Sequence, residues 1–193
     1  IELCLDDIGA DAIKTGMLHS AGVIETVAKH VPEGIPLVVD PVMVAKGGAP
    51  LLESAALHAL KTLLIPRATI ITPNLPEAEL LLGRAIDETT MEDAARALLD
   101  LGCGAVLLKG GHGTGEMLTD VLVTQGGSAL TLTTPRIATR HTHGTGCAFA
   151  SAIATGLAKK MLLAESVNRA HTYVQAAIAR APGFGSGNGP LGH

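Results

Sequence analysis

The chain has 193 residues, 47% of them hydrophobic and 17% charged, with a formal net charge of -4. This composition is typical of one globular domain and excludes a disordered chain. The mild negative charge, with two Phe, one Tyr and no Trp, argues against a nucleic-acid partner, which needs a basic face and stacking platforms.

Three widely spaced cysteines, Cys4, Cys103 and Cys147, contain no CxxC pair. They predict neither a disulfide framework nor a zinc knuckle, and they fit a reducing cytoplasm. The sequence shows no signal peptide and no apolar run of membrane-spanning length, so we expect no membrane partner.

The first residues, 1–9, have the pattern of the end of an amphipathic helix without its start, and there is no initial Met. We therefore expect that an N-terminal portion of the native protein, of about 60 residues, precedes Ile1, within the usual size of a single domain.

The rest of the chain alternates strands and helices. Short, continuous apolar runs of the kind found in buried parallel strands predict strands at 12–16, 36–40, 68–72 and 105–109. Helical patterns, the first opened by Ser20 and the fourth by Thr89 or Thr90, predict helices at 20–30, 53–64, 77–83, 91–101, 145–160 and 164–180.

One region departs from this alternation. Residues 116–124 and 129–133 favour β-structure around a turn at 125–128, which predicts an antiparallel hairpin at a sheet edge. With no linker, repeat or change of composition, the sequence predicts one α/β domain over 1–193: a three-layer sandwich with a mostly parallel central sheet and this edge hairpin.

Polar groups stand where the predicted strands end. Asp40, Asn74 and Lys109 each follow an apolar strand, and the turn Gly144–Cys147 opens a helix. Because open α/β sheets bind ligands at the carboxyl ends of their strands, we expect these groups to share one rim.

The turn Gly144–Cys147 is the most informative motif. Its glycines free the backbone, and the unpaired N–H groups at the start of the following helix can hold an anion. Cys147 falls in the first helical turn, where the helix dipole favours the reactive thiolate. This combination predicts phosphoryl transfer, although an ordinary glycine-rich loop before a buried helix is the simpler alternative.

Two carboxylates are candidate ligands for Mg²⁺, which prefers oxygen donors. Asp40 precedes Pro41 at a strand end, and the alternative role for it is capping of loop amides. Asn74 and Glu77 have the spacing of a helix capping box, which leaves Glu77 able to reach a phosphate-bound cation as well.

The segment Lys109–Gly113 places a cation and a flexible glycine loop at another strand end, so Lys109, Gly110 and Gly111 can approach a nucleotide closely. The spacing matches neither a Walker A loop nor a dinucleotide-binding fingerprint.

Three histidines, His112, His141 and His143, raise the alternative of a zinc site, but no further ligand has a recognisable spacing. Alternation along an extended segment explains the pair at 141 and 143 more simply. The glycine-rich tail, 181–190, has no helix or strand signal, and a frayed terminus is the simplest interpretation.

Taken together, these motifs resemble the hydroxymethylpyrimidine/phosphomethylpyrimidine kinases of the ribokinase-like superfamily. The matching segments follow the family's order over nearly the whole chain: 11–18, 39–43, 72–79, 108–112, 142–147 and 187–190.

The resemblance implies phosphorylation of the pyrimidine's hydroxymethyl group, and then of its phosphate, with ATP and Mg²⁺. It implies a ribokinase-like fold, a homodimer, and Cys147 as the catalytic base beside Gly144, Thr145 and Gly146, where most relatives carry Asp. The implied nucleotide ligands are Lys109, Gly110, Gly111 and Asn74, and the implied metal ligands are Asp40 and Glu77.

On the substrate side, only Met17, Val42 and Cys147 match the family, because its first strand, glycine-rich loop and pyrimidine-reading glutamine have no counterpart here. Three alternatives remain open: pyridoxal kinase, which the cysteine disfavours, hydroxyethylthiazole kinase, and a catalytically incompetent fragment that only binds nucleotide.

Overall fold

A computed structural model describes residues 1–44, 52–111 and 115–193. Its centre is one six-stranded sheet in which the strands lie side by side in chain order. The strands are β1 (Ile13–Thr15), β2 (Leu37–Val39), β3 (Ile70–Ile71), β4 (Ala105–Lys109), β5 (Met117–Thr124) and β6 (Ala129–Pro135).

The sheet is parallel from β1 to β4 and antiparallel from β4 to β6. β2, β3 and the first four residues of β4 are completely buried, as expected for parallel strands covered on both faces. β6 instead alternates half-buried and exposed side chains at the edge of the sheet. The predicted parallel sheet with an edge hairpin is confirmed.

Seven α-helices are described: α1 (Glu2–Asp7), α2 (Ala21–His30), α3 (Ser54–Ala59), α4 (Leu75–Leu82), α5 (Met91–Leu99), α6 (Thr145–Ala158) and α7 (Leu163–Ala179). Ser20 and Thr90 stand at the N-caps of α2 and α5 as predicted, but neither side chain makes a capping hydrogen bond. No helix in the described ranges is both long and apolar enough to cross a membrane.

The predicted helix at 53–64 is regular only over α3. It continues as a π-helical turn at Leu60–Leu64 and a 3₁₀ turn at Ile65–Arg67. Pro66 explains the irregularity, because it has no N–H with which to continue the α-helical ladder. The guanidinium of Arg67 then donates to carbonyl oxygens at the end of α2, which ties this segment to its neighbour.

Two hydrophobic cores lie on opposite faces of the sheet, so the predicted three-layer sandwich is confirmed. One core joins the sheet to α2, α3, α4 and α5, and the other joins it to α6 and α7. The inward-facing side chains alternate along the strands: Val39 and Val106 belong to the first core, and Val38 and Leu107 to the second.

The glycine-rich tail is not frayed, so that interpretation was wrong. His143 donates its backbone N–H to the carbonyl oxygen of Gly189 at 3.2 Å, and Gly192 donates to Ala177 at 2.9 Å. Leu191 is buried. Long-range backbone hydrogen bonds replace regular secondary structure here, and no local pattern could have predicted them.

Gly156 is expected to be essential for the contact between α6 and α7. A Cβ at this position would lie 2.6 Å from Oγ of Ser166, which is fully buried. We expect Gly156→Ala to lower the free energy of unfolding by about 1–3 kcal/mol through overpacking, measured by urea denaturation. Gly22→Ala in α2 is the control, because a Cβ there meets no atom within 4 Å. It should be neutral or stabilising by up to about 1 kcal/mol, and equal losses in the two variants would contradict the packing argument.

Candidate active site

The strand ends and the glycine turn line one cavity of about 880 Å³. Its wall includes Asp40 after β2, Asn74 after β3, Lys109 at the end of β4, and the turn Gly144–Cys147. The prediction that these groups share a rim is confirmed, since parallel strands bring their carboxyl ends to the same edge of the sheet.

The turn before α6 has the geometry that an anion site needs. Gly144 is the N-cap of this 14-residue helix and has a φ of 83°, which a residue with a side chain adopts only under strain. Thr145 closes the turn by donating its hydroxyl to the Thr142 carbonyl oxygen at 2.8 Å. The Thr145 N–H donates to the same carbonyl oxygen at 3.5 Å. Gly146 and the exposed Cys147 follow in the first turn, whose N–H groups have no acceptor within the helix, and both residues line the cavity.

A buried ion pair lies directly beside this turn. Oδ1 of Asp40 accepts from the ammonium of Lys109 at 3.1 Å and from the hydroxyl of Thr72 at 3.0 Å. Lys14 approaches the other oxygen of Asp40 at 3.9 Å. Among the described residues, the partners of the Asp40 carboxylate are side chains and none is a loop amide, which favours the role at the site over capping.

Gly146 packs closely against this ion pair. A Cβ on Gly146 would lie 3.4 Å from Nζ of Lys109 and 3.9 Å from Oδ2 of Asp40. The absence of a side chain at Gly146 therefore allows the turn Gly144–Cys147 to lie close to the Asp40–Lys109 ion pair.

Asn74 and Glu77 form the predicted capping box at the start of α4. The Asn74 side chain accepts from the Glu77 N–H at 2.9 Å, and Glu77 accepts from the Asn74 N–H at 2.8 Å. Burial raises the pKa of Glu77, and the positive charge of Lys109 partly opposes this rise. The cap holds the carboxyl of Glu77 at the cavity wall, so capping and metal binding are compatible.

The donor set fits Mg²⁺. No group of three or more His, Cys, Asp or Glu residues in the described ranges could hold a metal by itself. Mg²⁺ is commonly held by one or two carboxylates together with phosphates and waters, and Asp40 and Glu77 are two buried carboxylates on one cavity wall. The repulsion from Asp40 that helps raise the pKa of Glu77 is one that a bound cation would relieve.

Glu77→Gln should separate the two roles of this residue. Glutamine can still close the capping box, so the fold should hold, but transfer should need more Mg²⁺ than in the wild type. A raised folded-state pKa gives stability that is present at low pH and lost as the pH rises through that pKa. As the pH rises from acidic to neutral, the free energy of unfolding of the variant should therefore increase relative to that of the wild type, as measured by urea denaturation.

Asp93→Asn on the exposed face of α5 is the control for removal of a charge. It should change neither the Mg²⁺ requirement of transfer nor the pH dependence of the free energy of unfolding. An unchanged Mg²⁺ titration combined with a lower melting temperature would show that Glu77 is only a cap.

The remaining predicted residues are placed unequally. Val42 and Gly111 line the cavity, and Gly110 stands immediately beside the lining residue Lys109. Met17 is 53% exposed and is not part of the cavity wall. His112, one of the three histidines of the zinc alternative, lies outside the described residues.

Several polar residues of the site were not predicted. Lys14 and Thr72 contact Asp40, while Asp120 of β5 and His171 of α7 line the cavity. Lys14 lies within β1, one residue before its end, so the rule that singled out polar residues directly after a strand does not select it. Asp120 and His171 lie within a strand and a helix, and no local pattern marks them.

Comparison with known proteins shows the family to which the chain belongs. The family model described as phosphomethylpyrimidine kinase matches residues 1–192. The chain belongs to the phosphomethylpyrimidine kinase family. This family consists of phosphotransferases, so the chain is placed among kinases of thiamine biosynthesis.

The similar curated proteins carry consistent names. Hydroxymethylpyrimidine/phosphomethylpyrimidine kinase of Streptomyces coelicolor is 47% identical over 98% of this chain and 70% of its own length. The kinase of Bacillus subtilis with the same name is 42% identical over 100% of this chain and 72% of its own. The thiamine biosynthesis bifunctional protein of Geobacter sulfurreducens is 47% identical, and this chain spans 40% of its length.

Solved structures confirm the ribokinase-like fold. The ADP complex of Bacillus subtilis pyridoxal kinase superposes with a TM-score of 0.90 at 38% identity, covering 100% of this chain and 74% of that one. A phosphomethylpyrimidine kinase from Clostridium difficile superposes with a TM-score of 0.76 at 37% identity, covering 92% of this chain and 73% of that one.

Proposed function

We propose that this chain transfers phosphate from ATP to the hydroxymethyl group of 4-amino-5-hydroxymethyl-2-methylpyrimidine, and then to the resulting monophosphate. The observation that supports this most strongly is the position of Cys147. It stands in the first turn of α6, in the same cavity as the Asp40–Lys109 ion pair, within a chain of the phosphomethylpyrimidine kinase family.

Phosphoryl transfer needs positioning and charge stabilisation more than covalent chemistry. In the proposed reaction, Cys147 takes the proton of the hydroxymethyl group while its oxygen attacks the terminal phosphorus and the bond to the leaving ADP oxygen breaks. The amides of Gly144, Thr145 and Gly146 hold the charge that develops on the transferred group.

The other cavity residues bind and orient. Lys109, Gly110, Gly111 and Asn74 are proposed to hold the nucleotide, because they bring an ammonium, flexible backbone and an amide to one strand edge. Asp40 and Glu77 would hold Mg²⁺, which supplies neutralisation of phosphate charge when bound. Two relatives of known structure, pyridoxal kinases from Bacillus subtilis and Staphylococcus aureus, were solved with ADP and with AMP-PCP, which supports a nucleotide here.

Val42 and Met17 are proposed to contact the pyrimidine, although their support differs. Val42 borders both the large cavity and a small hollow that is also lined by Gly16 and Leu18. Met17 follows Gly16 in the chain, and its exposed side chain stands outside the large cavity.

Pyridoxal kinase is the second candidate, because several of the most similar solved structures carry that name. A substrate panel with ATP and Mg²⁺ tests the choice. ADP release is measured with the hydroxymethylpyrimidine, its monophosphate, pyridoxal and hydroxyethylthiazole in turn. Higher kcat/KM for both pyrimidines than for pyridoxal supports the proposal. Preference for pyridoxal or the thiazole, or ATP binding without transfer to any acceptor, contradicts it.

We also propose that the protein is a homodimer, because of the family resemblance. Three unpaired cysteines support the proposal that it is located in the cytoplasm. Sedimentation of the protein at several concentrations tests the assembly, and a monomer throughout would contradict it.

A further inference from the structure

A carboxylate that the proposed mechanism does not use, Asp120, stands where β4 ends. Lys109 and Asp120 are the last residue pair of the β4–β5 ladder, so their side chains leave the sheet on the same side. One residue further, Gly110 donates its N–H to Oδ1 of Asp120 at 2.9 Å. The side chain of Asp120 thus accepts the hydrogen bond of the first peptide beyond the ladder.

The Lys109–Gly110 segment is held from two other directions. The N–H of Lys109 donates to the Pro73 carbonyl oxygen at 2.9 Å on the side of β3. On the side of β5, a Cβ on Gly110 would overlap the Thr119 carbonyl oxygen, so the Gly110 backbone lies flush against that strand. With the Asp120 hydrogen bond, these contacts hold the backbone of Lys109 and Gly110 from three directions.

The surroundings of Asp120 favour this use of its carboxyl. Burial raises the pKa of Asp120, while the Gly110 hydrogen bond and the charges of His171 and Lys109 lower it. Lys109 is already paired with Asp40 at 3.1 Å. A third carboxylate, besides those of Asp40 and Glu77, would repel the nucleotide phosphates, so the favourable contribution of Asp120 is indirect, through the backbone it holds.

We propose that Asp120 is a positioning residue for phosphoryl transfer: through the Gly110 N–H it fixes the Lys109–Gly110 backbone and so orients the Lys109 ammonium toward the bound nucleotide. This inference rests on the proposed function. A misplacement of about 1 Å of a group far from the chemistry can cost about 10²-fold in rate, which gives this hydrogen bond its importance.

Two substitutions separate the hydrogen bond from the charge. Asp120→Asn keeps an oxygen acceptor at nearly the same position, so kcat should stay close to the wild-type value. Asp120→Ala removes the acceptor and should lower kcat by about 10–100-fold, with a smaller change in the KM for ATP. In ¹⁵N spectra, exchange of the Gly110 amide proton should be faster in the alanine variant and unchanged in the asparagine variant.

Glu79→Ala is the matched control. Glu79 is also half-buried and also accepts one backbone N–H, that of Ile86, at 2.9 Å, but it is absent from the cavity wall. If the loss of kcat in Asp120→Ala comes from the position of this carboxylate, Glu79→Ala should have the kcat of the wild type, even where the two variants lose similar stability.

Equal losses of kcat in the asparagine and alanine variants would overturn the proposal, because they would assign the effect to charge or to direct ligand contact. Full activity of Asp120→Ala would also overturn it. Failure of the proposed function would give a different result: the wild type would transfer phosphate to none of the four substrates of the panel. In that case, Gly110 exchange and ATP affinity, measured by calorimetry, still decide whether Asp120 holds the loop: slow exchange in Asp120→Ala overturns the proposal.

Discussion

Cys147→Ala is expected to lower kcat by about 10²–10⁴-fold, the range for loss of a general base, while the KM for ATP changes little. Cys147 is proposed to take the hydroxymethyl proton, whereas the nucleotide is proposed to lie against Lys109, Gly110 and Gly111, so the thiol has no proposed contact with ATP. Removal of Sγ should therefore affect proton transfer and leave nucleotide binding intact. Steady-state kinetics with the hydroxymethylpyrimidine and ATP measure both quantities.

The other cysteines provide the controls. Cys4 is exposed in α1, so Cys4→Ala should leave kcat unchanged. Cys103 is buried, and burial raises its pKa to about 11, so it should resist alkylation in the folded protein. Mass spectrometry after iodoacetamide treatment should find Cys147 modified first, with activity lost in parallel. Near-normal turnover in Cys147→Ala would refute its catalytic role and leave the thiol as a packing group.

Asp40→Ala should produce the largest combined loss of stability and activity. The Asp40 and Lys109 side chains are 3% and 13% exposed, and removal of the carboxylate leaves a buried ammonium unpaired. The Thr72 hydroxyl also loses its acceptor. Breaking a buried pair in this way costs about 3–5 kcal/mol, and loss of a proposed Mg²⁺ ligand should abolish measurable transfer.

Glu92→Ala is the matched control for loss of an ion pair. Glu92 pairs with Arg96 at 2.7 Å on the surface of α5, where both side chains are more than 40% exposed. Exposed pairs of this kind contribute about 0.2–1 kcal/mol, so urea denaturation should separate the two variants clearly. A loss at Asp40 no larger than that at Glu92, with transfer retained, would contradict both the structural and the catalytic role.

The elements that could be predicted from the sequence depend on short-range rules. The apolar runs that became β2 and β4 identify buried strands, and the Asn74–Glu77 spacing identifies a capping box, because all the atoms involved lie within a few residues. The glycine turn before α6 is equally local. These features were enough to predict the sandwich and the strand-end rim, since parallel topology brings equivalent strand ends together.

The irregular end of the third helix shows where local rules are incomplete. The apolar pattern over 53–64 predicts a helix, and Pro66 disturbs it from just beyond its end. A π-helical turn and a 3₁₀ turn follow α3, and Arg67 at the end of the latter donates to the carbonyl oxygens of Ala28 and Val31. Such a contact between distant segments has no signature in the sequence around it.

What the sequence by itself determined is the type of most elements, the polar residues at the strand ends, and the glycine turn before α6 with Cys147. Only the tertiary structure decided which groups pair. Asp40 and Lys109 are 69 residues apart, and Asp120 meets Gly110 because the β4–β5 register places it there. The physical reason is that strand pairing and charge pairing in a folded chain depend on distances in space, which long-range packing determines and local periodicity does not.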